Sequence, residues 1–146
     1  MLYNFVRFDS EYGKIMSAIE KEMHSNNKHP IFVSGLCVGA SDALLCAFSD
    51  EIYKSTHSPQ LILCGNEKEC ARVSALLSQQ GMYFPYYRAR DFVFNNISSS
   101  HTDECERLKI LYSLLQGNCN GVVTTPHAFF AVYRSCRCVV RQYSFA

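Results

Sequence analysis

The chain has 146 residues, enough for one domain, and 48% of them are hydrophobic, which suits a globular protein with a sizeable core. Fourteen Lys and Arg residues against thirteen Asp and Glu leave a formal charge of +1, so no overall field draws the chain towards nucleic acid or an anionic membrane. The eight cysteines include no CxxC pair, which favours reduced thiols over disulfides or a zinc site. With neither a signal peptide nor an apolar run of about 18 residues, we expect a cytoplasmic protein without a membrane segment.

Near the N-terminus, apolar residues recur at helical spacing and predict an amphipathic helix over about residues 10–25. Pro30 begins a new element, because the continuous apolar run 31–33 that Gly35 halts is typical of a parallel strand buried on both faces. A second helix begins near Ser41 and ends before a loop at residues 55–59. The residues that mark its apolar face are Leu44, Leu45, Phe48 and Ile52.

The run 61–64 repeats the pattern of a buried strand. A third helix follows, since Asn66 and Glu69 have the spacing of a capping box, and Gly81 is a natural C-terminal stop. Its predicted apolar face consists of Cys70, Val73, Leu76 and Leu77.

A brief strand over residues 82–84 leads into a long loop at residues 85–101, a length that is uncommon without a role. Thr102 is predicted to cap the next helix, which Gly117 ends. We expect its inward face to be Leu108, Leu111, Tyr112 and Leu115. One more buried strand at residues 122–123 precedes a last helix, with Thr125 as its cap and Pro126 at its first position.

This alternation of helix and buried strand predicts an α/β fold in three layers, a parallel sheet flanked by helices on both faces. Right-handed crossovers would place the Gly35 turn at the carboxyl edge of the sheet, where ligands bind such folds. We expect residues 1–133 to form this domain, and residues 134–146 to be a C-terminal tail that connects to a following domain.

The turn around Gly35 has the form of a phosphate-binding loop without its chemistry. A working loop reads GxxxxGK[ST], and when Gly35 takes the first position, Ala40, Ser41 and Asp42 stand where the second Gly, the Lys and the magnesium-binding hydroxyl belong. Asp42 also puts a negative charge at a helix N-terminus, where it can act as a cap in place of an anion. Two interpretations remain open: a tight corner in which Gly35 and Gly39 allow close packing, or nucleotide binding through backbone amides alone.

Hydrolysis is not expected, because the strand at residues 122–123 ends without the acidic residue that would hold magnesium. The histidines, including His101 and His127, form no catalytic constellation, and we expect neither catalytic residues nor a metal site in this chain.

The long loop is rich in aromatic residues interleaved with arginine. Tyr86, Tyr87, Arg88 and Arg90 could stack single-stranded bases and hold phosphates, or could form a docking surface for a partner. A third interpretation is that about half of the rings belong to the core and the others cover the sheet edge or a neighbouring domain. These rings are Tyr83, Phe84, Tyr86, Tyr87, Phe92 and Phe94.

Five segments together resemble the N-terminal segment of the bacterial transcription-repair coupling factor family, in the same order and at similar spacings. They are SGLCVGASDALL, QLILCGNEKECARVSALL, FPYY, ERLKILYSLLQG and GVVTTPHAFF, and they cover about residues 31–130. The resemblance implies a P-loop NTPase and helicase-like fold similar to domain 1a of UvrB, the nucleotide-excision-repair helicase. In this family the phosphate loop, or Walker A motif, is degenerate, whereas UvrB has an intact one.

The resemblance further implies a noncatalytic fragment of a longer protein, an interaction and scaffold domain in the UvrB-like module that recruits UvrA in transcription-coupled DNA repair. Other parts of the full-length protein, an ATP-dependent DNA translocase, would bind RNA polymerase and DNA. ATP and magnesium would be needed only at that motor, so no cofactor is expected here. Contact with other domains of the same chain is also implied.

Two alternatives remain beside this interpretation. The first is a nucleotide-dependent DNA helicase domain of UvrB type, against which Ser41 at the lysine position argues. The second is an unrelated nucleotide-binding α/β enzyme, which would need a ligand at the Gly35 turn. Tyr86, Tyr87 and Arg88 stand where the family usually has an acidic residue and Trp, which leaves the role of that loop open.

Overall fold

A computed structural model of the protein describes residues 2–26, 29–37, 39–89 and 97–130, with side chains described for residues 5–26, 29–37, 39–89 and 103–130. The chain divides into two compact units, Met1–His57 and Ser58–Ala146. The predicted tail at residues 134–146 lies outside the described residues.

The first unit consists of a 3-10 helix, Leu2–Phe8, and two α-helices, α1 (Ser10–His24) and α2 (Ala40–Thr56). Asp9 caps α1, because its side chain accepts a hydrogen bond of 2.8 Å from the amide of Glu11. Both predicted helices are therefore confirmed, with bounds close to the expected ones.

Packing in the first unit centres on Tyr12, which is 5% exposed. Its ring stacks on Phe48 of α2 with the centroids 5.2 Å apart, and its hydroxyl donates a 2.5 Å hydrogen bond to Glu51. Arg7 forms an ion pair of 2.7 Å with Asp50, the residue that precedes Glu51 in α2. Contacts of both kinds, apolar and charged, thus join the N-terminal segments to α2.

The strand predicted at residues 31–33 is wrong. These residues have no regular secondary structure, and Ile31, Phe32 and Val33 are 40%, 88% and 39% exposed. The Gly35 turn therefore does not follow a strand, and its place at the carboxyl edge of the sheet stays a prediction. A three-residue apolar run has no period of its own, so nothing local distinguished a buried strand from an exposed extended segment.

The second unit contains a three-stranded parallel sheet flanked by helices, which confirms the coarse α/β prediction. The strands are β1 (Gln60–Leu63), β2 (Tyr86–Tyr87) and β3 (Gly121–Thr124), in the order β1-β3-β2. In the register Leu63 and Tyr87 both pair with Thr124. The helices are α3 (Glu67–Gln79) and α4 (Ile97–Leu115), and residues 126–130 are helical as well.

Local signals account for the ends of these elements. The Asn66 side chain accepts a 2.9 Å hydrogen bond from the amide of Glu69, which confirms the predicted start of α3. Gly81, at φ 80°, follows its C-terminal end in the left-handed conformation that glycine adopts most readily. The Thr125 hydroxyl accepts a 3.3 Å hydrogen bond from the amide of Ala128, as expected of the cap of the last helix.

The core of the second unit surrounds β3, whose four residues are all buried. On one face Val122, Tyr87 and Ala128 pack against α4 through Ile110, Leu111 and Leu114. Behind the strands, the Ser74 hydroxyl of α3 donates a 2.6 Å hydrogen bond to the carbonyl of Phe84, which is fully buried. The sheet is therefore contacted by both α3 and α4.

Four details of the second unit differ from the predictions. The strand expected at residues 82–84 lies at Tyr86–Tyr87, and α4 begins at Ile97, not after Thr102. β1 is not buried on both faces, because Leu61 and Leu63 are 48% and 51% exposed at the edge of the sheet. Three of the four residues expected on the inward face of α4 are exposed instead: Leu108, Tyr112 and Leu115.

Candidate functional site

The first candidate site is the turn that leads into α2. Gly35 and Gly39 adopt φ values of 77° and 85°, the left-handed region that side chains disfavour, so the two glycines shape this turn. Gly39 is the N-cap of α2 and has no side chain with which to cap it. The amide of Ala40 donates a 3.0 Å hydrogen bond to the carbonyl of Cys37.

Asp42 lies in the first turn of α2, as expected, and the N-cap position of the helix itself is Gly39. The charge of Asp42 lies at the positive end of the helix dipole, where a carboxylate is favourable. One turn further along α2, the pKa of the Cys46 thiol is raised mainly by burial and additionally by the negative charge of Asp42. Ser41, at the position of the phosphate-binding lysine, is exposed.

A cavity of about 340 Å³ adjoins this turn within the first unit. Leu36, Ala40 and Leu44 form one side of it, and the remaining lining comes from Phe5, Val6, Asp9, Glu11, Tyr12 and Ile15. None of these described lining residues is Lys or Arg. Its two carboxylates already have partners, since Asp9 caps α1 and Glu11 pairs with Lys14 at 2.6 Å. The cavity suits an apolar group and offers no cation to a phosphate.

The second candidate site is the aromatic and basic segment at β2. Tyr87 is 4% exposed, and the Arg107 guanidinium lies 4.7 Å from the centroid of its ring. The buried Thr124 hydroxyl donates a 2.8 Å hydrogen bond to the carbonyl of Tyr87. Tyr87 is therefore a core residue of the sheet. Arg90 lies outside the described residues.

Tyr86 and Arg88 lie together at the carboxyl end of β2. The Arg88 guanidinium is 5.8 Å from the centroid of the Tyr86 ring, within reach of a cation–π contact. The Tyr86 hydroxyl is buried, and among the described residues it has no hydrogen-bond partner of normal geometry. Burial, together with the nearby charge of Glu67, raises the pKa of Tyr86 to about 12. This hydroxyl therefore stays protonated at neutral pH and can still donate a hydrogen bond.

These two residues line a cavity of about 320 Å³ with residues that the sequence analysis missed. Glu67 and Lys68 come from the first turn of α3 and Asp103 from α4, and Ala71 and Ala89 complete the lining. The signal for Glu67 and Lys68 was present, because a helix that follows a parallel strand begins at the carboxyl edge of the sheet. Among the described lining residues two side chains are cationic and two are anionic, a balance that does not select for phosphate.

Other chemistry is sparse in the described part of the chain. No group of three or more His, Cys, Asp or Glu residues there could hold a metal ion. His127 is exposed in the helical segment 126–130, and the side chain of His101 is not among those described. Among the described helices, none has both the length and the apolar character needed to cross a membrane. Comparison of the chain with family models, curated proteins and solved structures finds no match in any of the three.

Proposed function

We propose that the chain is a noncatalytic interaction and scaffold domain in the UvrB-like module of a bacterial transcription-repair coupling factor. The module would recruit UvrA in transcription-coupled nucleotide excision repair, in the cytoplasm. Support comes from five sequence segments in the order of that family. The parallel sheet with flanking helices in residues 58–130 is compatible with its fold.

The observation that carries the noncatalytic part of the proposal is the Gly35 turn. Gly35 and Gly39 keep the left-handed conformations of a tight loop before a helix. A phosphate there would meet the carboxylate of Asp42 in the first helical turn and no lysine at Ser41. Since anion binding at a helix N-terminus depends on the positive end of the dipole, a carboxylate at that end opposes it.

The neighbouring cavity supports the same proposal. Its walls near the turn are the apolar side chains of Leu36, Ala40 and Leu44. Phosphoryl transfer depends on positioned cations around the phosphates and on an acidic residue for the metal. At the end of β3, where the sequence of such enzymes has the acidic residue, this chain has Thr124 and Thr125, and both are buried. The UvrB-type helicase alternative has no comparable observation in its favour.

The proposed partners follow from the same resemblance. UvrA would be bound through the larger module, and RNA polymerase and DNA through other parts of the full-length protein. ATP and magnesium would be required at the distant motor and not by this domain. Contacts with neighbouring domains of the same chain would complete its scaffolding role.

A binding measurement tests the proposal. UvrA from the same organism is immobilised, and biolayer interferometry compares residues 1–146 with a longer protein that adds the region encoded next in the gene. The longer protein is expected to bind UvrA, because the small domain that follows carries most of this contact in the family. Binding should be unchanged by magnesium-ATP and by Asp42→Ala.

The proposal fails if the longer protein is folded by circular dichroism and shows no saturable binding of UvrA. It also fails if binding requires magnesium-ATP and Asp42→Ala changes that requirement, because the turn would then be a working nucleotide site.

A further inference from the structure

Helix α4 has two apolar faces, and the sheet covers one of them. Ile110, Leu111 and Leu114 pack against the core of the second unit. Leu108, Tyr112 and Leu115 are 61%, 63% and 85% exposed, and Cys105 is exposed as well. At 3.6 residues per turn the two sets point about 130° apart, so one sheet cannot bury both.

The spacing of the exposed set is specific. Cys105, Leu108, Tyr112 and Leu115 follow one another at intervals of three, four and three residues. These are the a and d positions of two consecutive heptads, with Cys105 and Tyr112 at a and Leu108 and Leu115 at d. Apolar residues at a and d form the seam along which two helices pack in a coiled coil, so the natural occupant of this face is another helix.

The flanking charges favour an identical helix in parallel orientation. Glu104 occupies a g position and Lys109 the e position that follows it. In a parallel pair the g residue of one helix lies beside the e residue five positions later in its partner, so Glu104 meets Lys109 of the other copy. Two-fold symmetry provides this attractive pair twice. Glu104 also has a contact within its own chain, and the intermolecular pair adds to that contact.

We propose that α4 is a dimerisation helix, which packs against α4 of a second copy of this chain as a short parallel coiled coil along Cys105, Leu108, Tyr112 and Leu115. Two heptads make a small interface, so the dimer is weak, with a dissociation constant on the order of 100 μM. The inference rests on α4 alone and is independent of the proposed role in repair.

Sedimentation velocity of the 146-residue chain from about 10 μM to 1 mM tests association across the expected dissociation constant. We expect a reversible monomer–dimer equilibrium that Tyr112→Glu weakens more than about tenfold, since it buries two charges in the seam. Leu63→Glu is the matched control, because Leu63 is 51% exposed on β1, outside the seam. It should leave the dissociation constant within about twofold. A chain that stays monomeric throughout this range, or equal effects of the two variants, would overturn the proposal.

A charge exchange tests the parallel orientation. Glu104→Lys and Lys109→Glu should each raise the dissociation constant roughly threefold or more, because each places like charges side by side. The double variant should return it to within about twofold of the native value. Absence of this rescue in folded variants contradicts the parallel pairing, since an antiparallel dimer would not bring residues 104 and 109 together.

Thiol cross-linking gives an independent readout. In the background Cys37→Ser, Cys136→Ser, Cys138→Ser, diamide should join two copies through Cys105, because the a positions of a parallel pair face each other. Each disulfide forms as the two thiols give up two protons and two electrons, which reduce diamide to the hydrazine. Moving the thiol to an outer position, with Cys105→Ser and Glu106→Cys, should nearly abolish the cross-link. Equal yields from the two positions would contradict the seam.

Discussion

Phe84 lies against the backbone of Gly121, so close that a β-carbon on residue 121 would come within 2.5 Å of Cε1 of the Phe84 ring. The nearest atom to that β-carbon would be the carbonyl oxygen of Gln60 on the neighbouring strand β1. Phe84 is fully buried. Glycine at the start of the central strand β3 therefore allows an aromatic ring and a strand backbone to approach together.

Gly121→Ala should destabilise the second unit by about 1–3 kcal/mol, because neither the buried ring nor the strand backbone can move aside freely. Urea unfolding followed by circular dichroism measures the change. Gly65→Ala is a suitable control, since a β-carbon at that position meets nothing within 4 Å. Equal midpoints for the two variants would show that the approach of Phe84 and Gly121 is not tight.

The stability of the first unit should depend on alkaline pH through Tyr12. Burial raises the pKa of Tyr12, and the hydrogen bond to Glu51 raises it further. Above a pH of about 10 the unfolded chain loses the phenol proton while the folded chain keeps it, so folding becomes less favourable as the pH rises. The contribution of Tyr12 is thus complete below about pH 10 and declines above it.

Tyr12→Phe should cost about 1–2 kcal/mol at neutral pH through loss of this hydrogen bond. It should also reduce the decline in stability above about pH 10. Thermal unfolding compares Tyr12→Phe with Tyr53→Phe, which removes a hydroxyl from α2 in the same unit. The comparison distinguishes loss of the hydrogen bond to Glu51 from loss of any phenol hydroxyl. Identical pH profiles for the native chain and Tyr12→Phe would contradict the assignment.

The hydrogen bond between Ser74 and Phe84 should be measurable by a matched pair of substitutions in α3. The Ser74 hydroxyl donates to the carbonyl of buried Phe84 at 2.6 Å, whereas the exposed Ser78 hydroxyl donates only to the preceding helical turn. Both changes to Ala bring the same gain in helix propensity, so their difference isolates the tertiary bond. Ser74→Ala should be less stable than Ser78→Ala by about 1 kcal/mol in urea unfolding. A difference near zero would count against this contact.

The elements that the sequence predicted well are those with local causes. Asn66 caps α3 through a bond to a residue only three positions away, and Gly81 follows its end because the chain needs a left-handed residue there. The adjacent apolar residues Val122 and Val123 predict a buried strand, and both are buried in the central strand β3.

The predictions that were wrong concern features that depend on residues distant in the sequence. Helix α4 has apolar residues on two faces, and its own sequence gives no reason to bury Ile110 and Leu114 in preference to Leu108 and Leu115. The sheet determines which face of α4 is buried, because Tyr87 and Val122 provide the surface on which α4 packs. The same holds at the second candidate site, where Tyr86 and Arg88 were identified from their own segment. Glu67, Lys68 and Asp103 join them only through the packing of α3 and α4.

The cysteines should differ strongly in reactivity. Cys37 and Cys105 are exposed, whereas Cys46, Cys64, Cys70 and Cys119 are buried. Burial, with the neighbouring Cys64, raises the pKa of Cys70 to about 12, so little of its reactive thiolate exists at neutral pH. Among the six cysteines that the structure describes, iodoacetamide labelling at low micromolar protein concentration, followed by peptide mass mapping, should modify Cys37 and Cys105 before the four buried ones. Labelling of Cys70 as fast as Cys105 would mean that the core of the second unit opens readily.

We propose that the Gly35 turn has a structural role in the first unit and binds no nucleotide. The most direct measurement is the melting temperature of the native chain and of Asp42→Ala during titration with magnesium-ATP to millimolar concentration, at constant ionic strength. A ligand bound at 100 times its dissociation constant would add about 2.7 kcal/mol of stability, a shift of several degrees. We expect the melting temperature of the native chain to stay within about 1 °C of its nucleotide-free value, well below such a shift. A saturable rise in the native chain that Asp42→Ala alters would contradict the account.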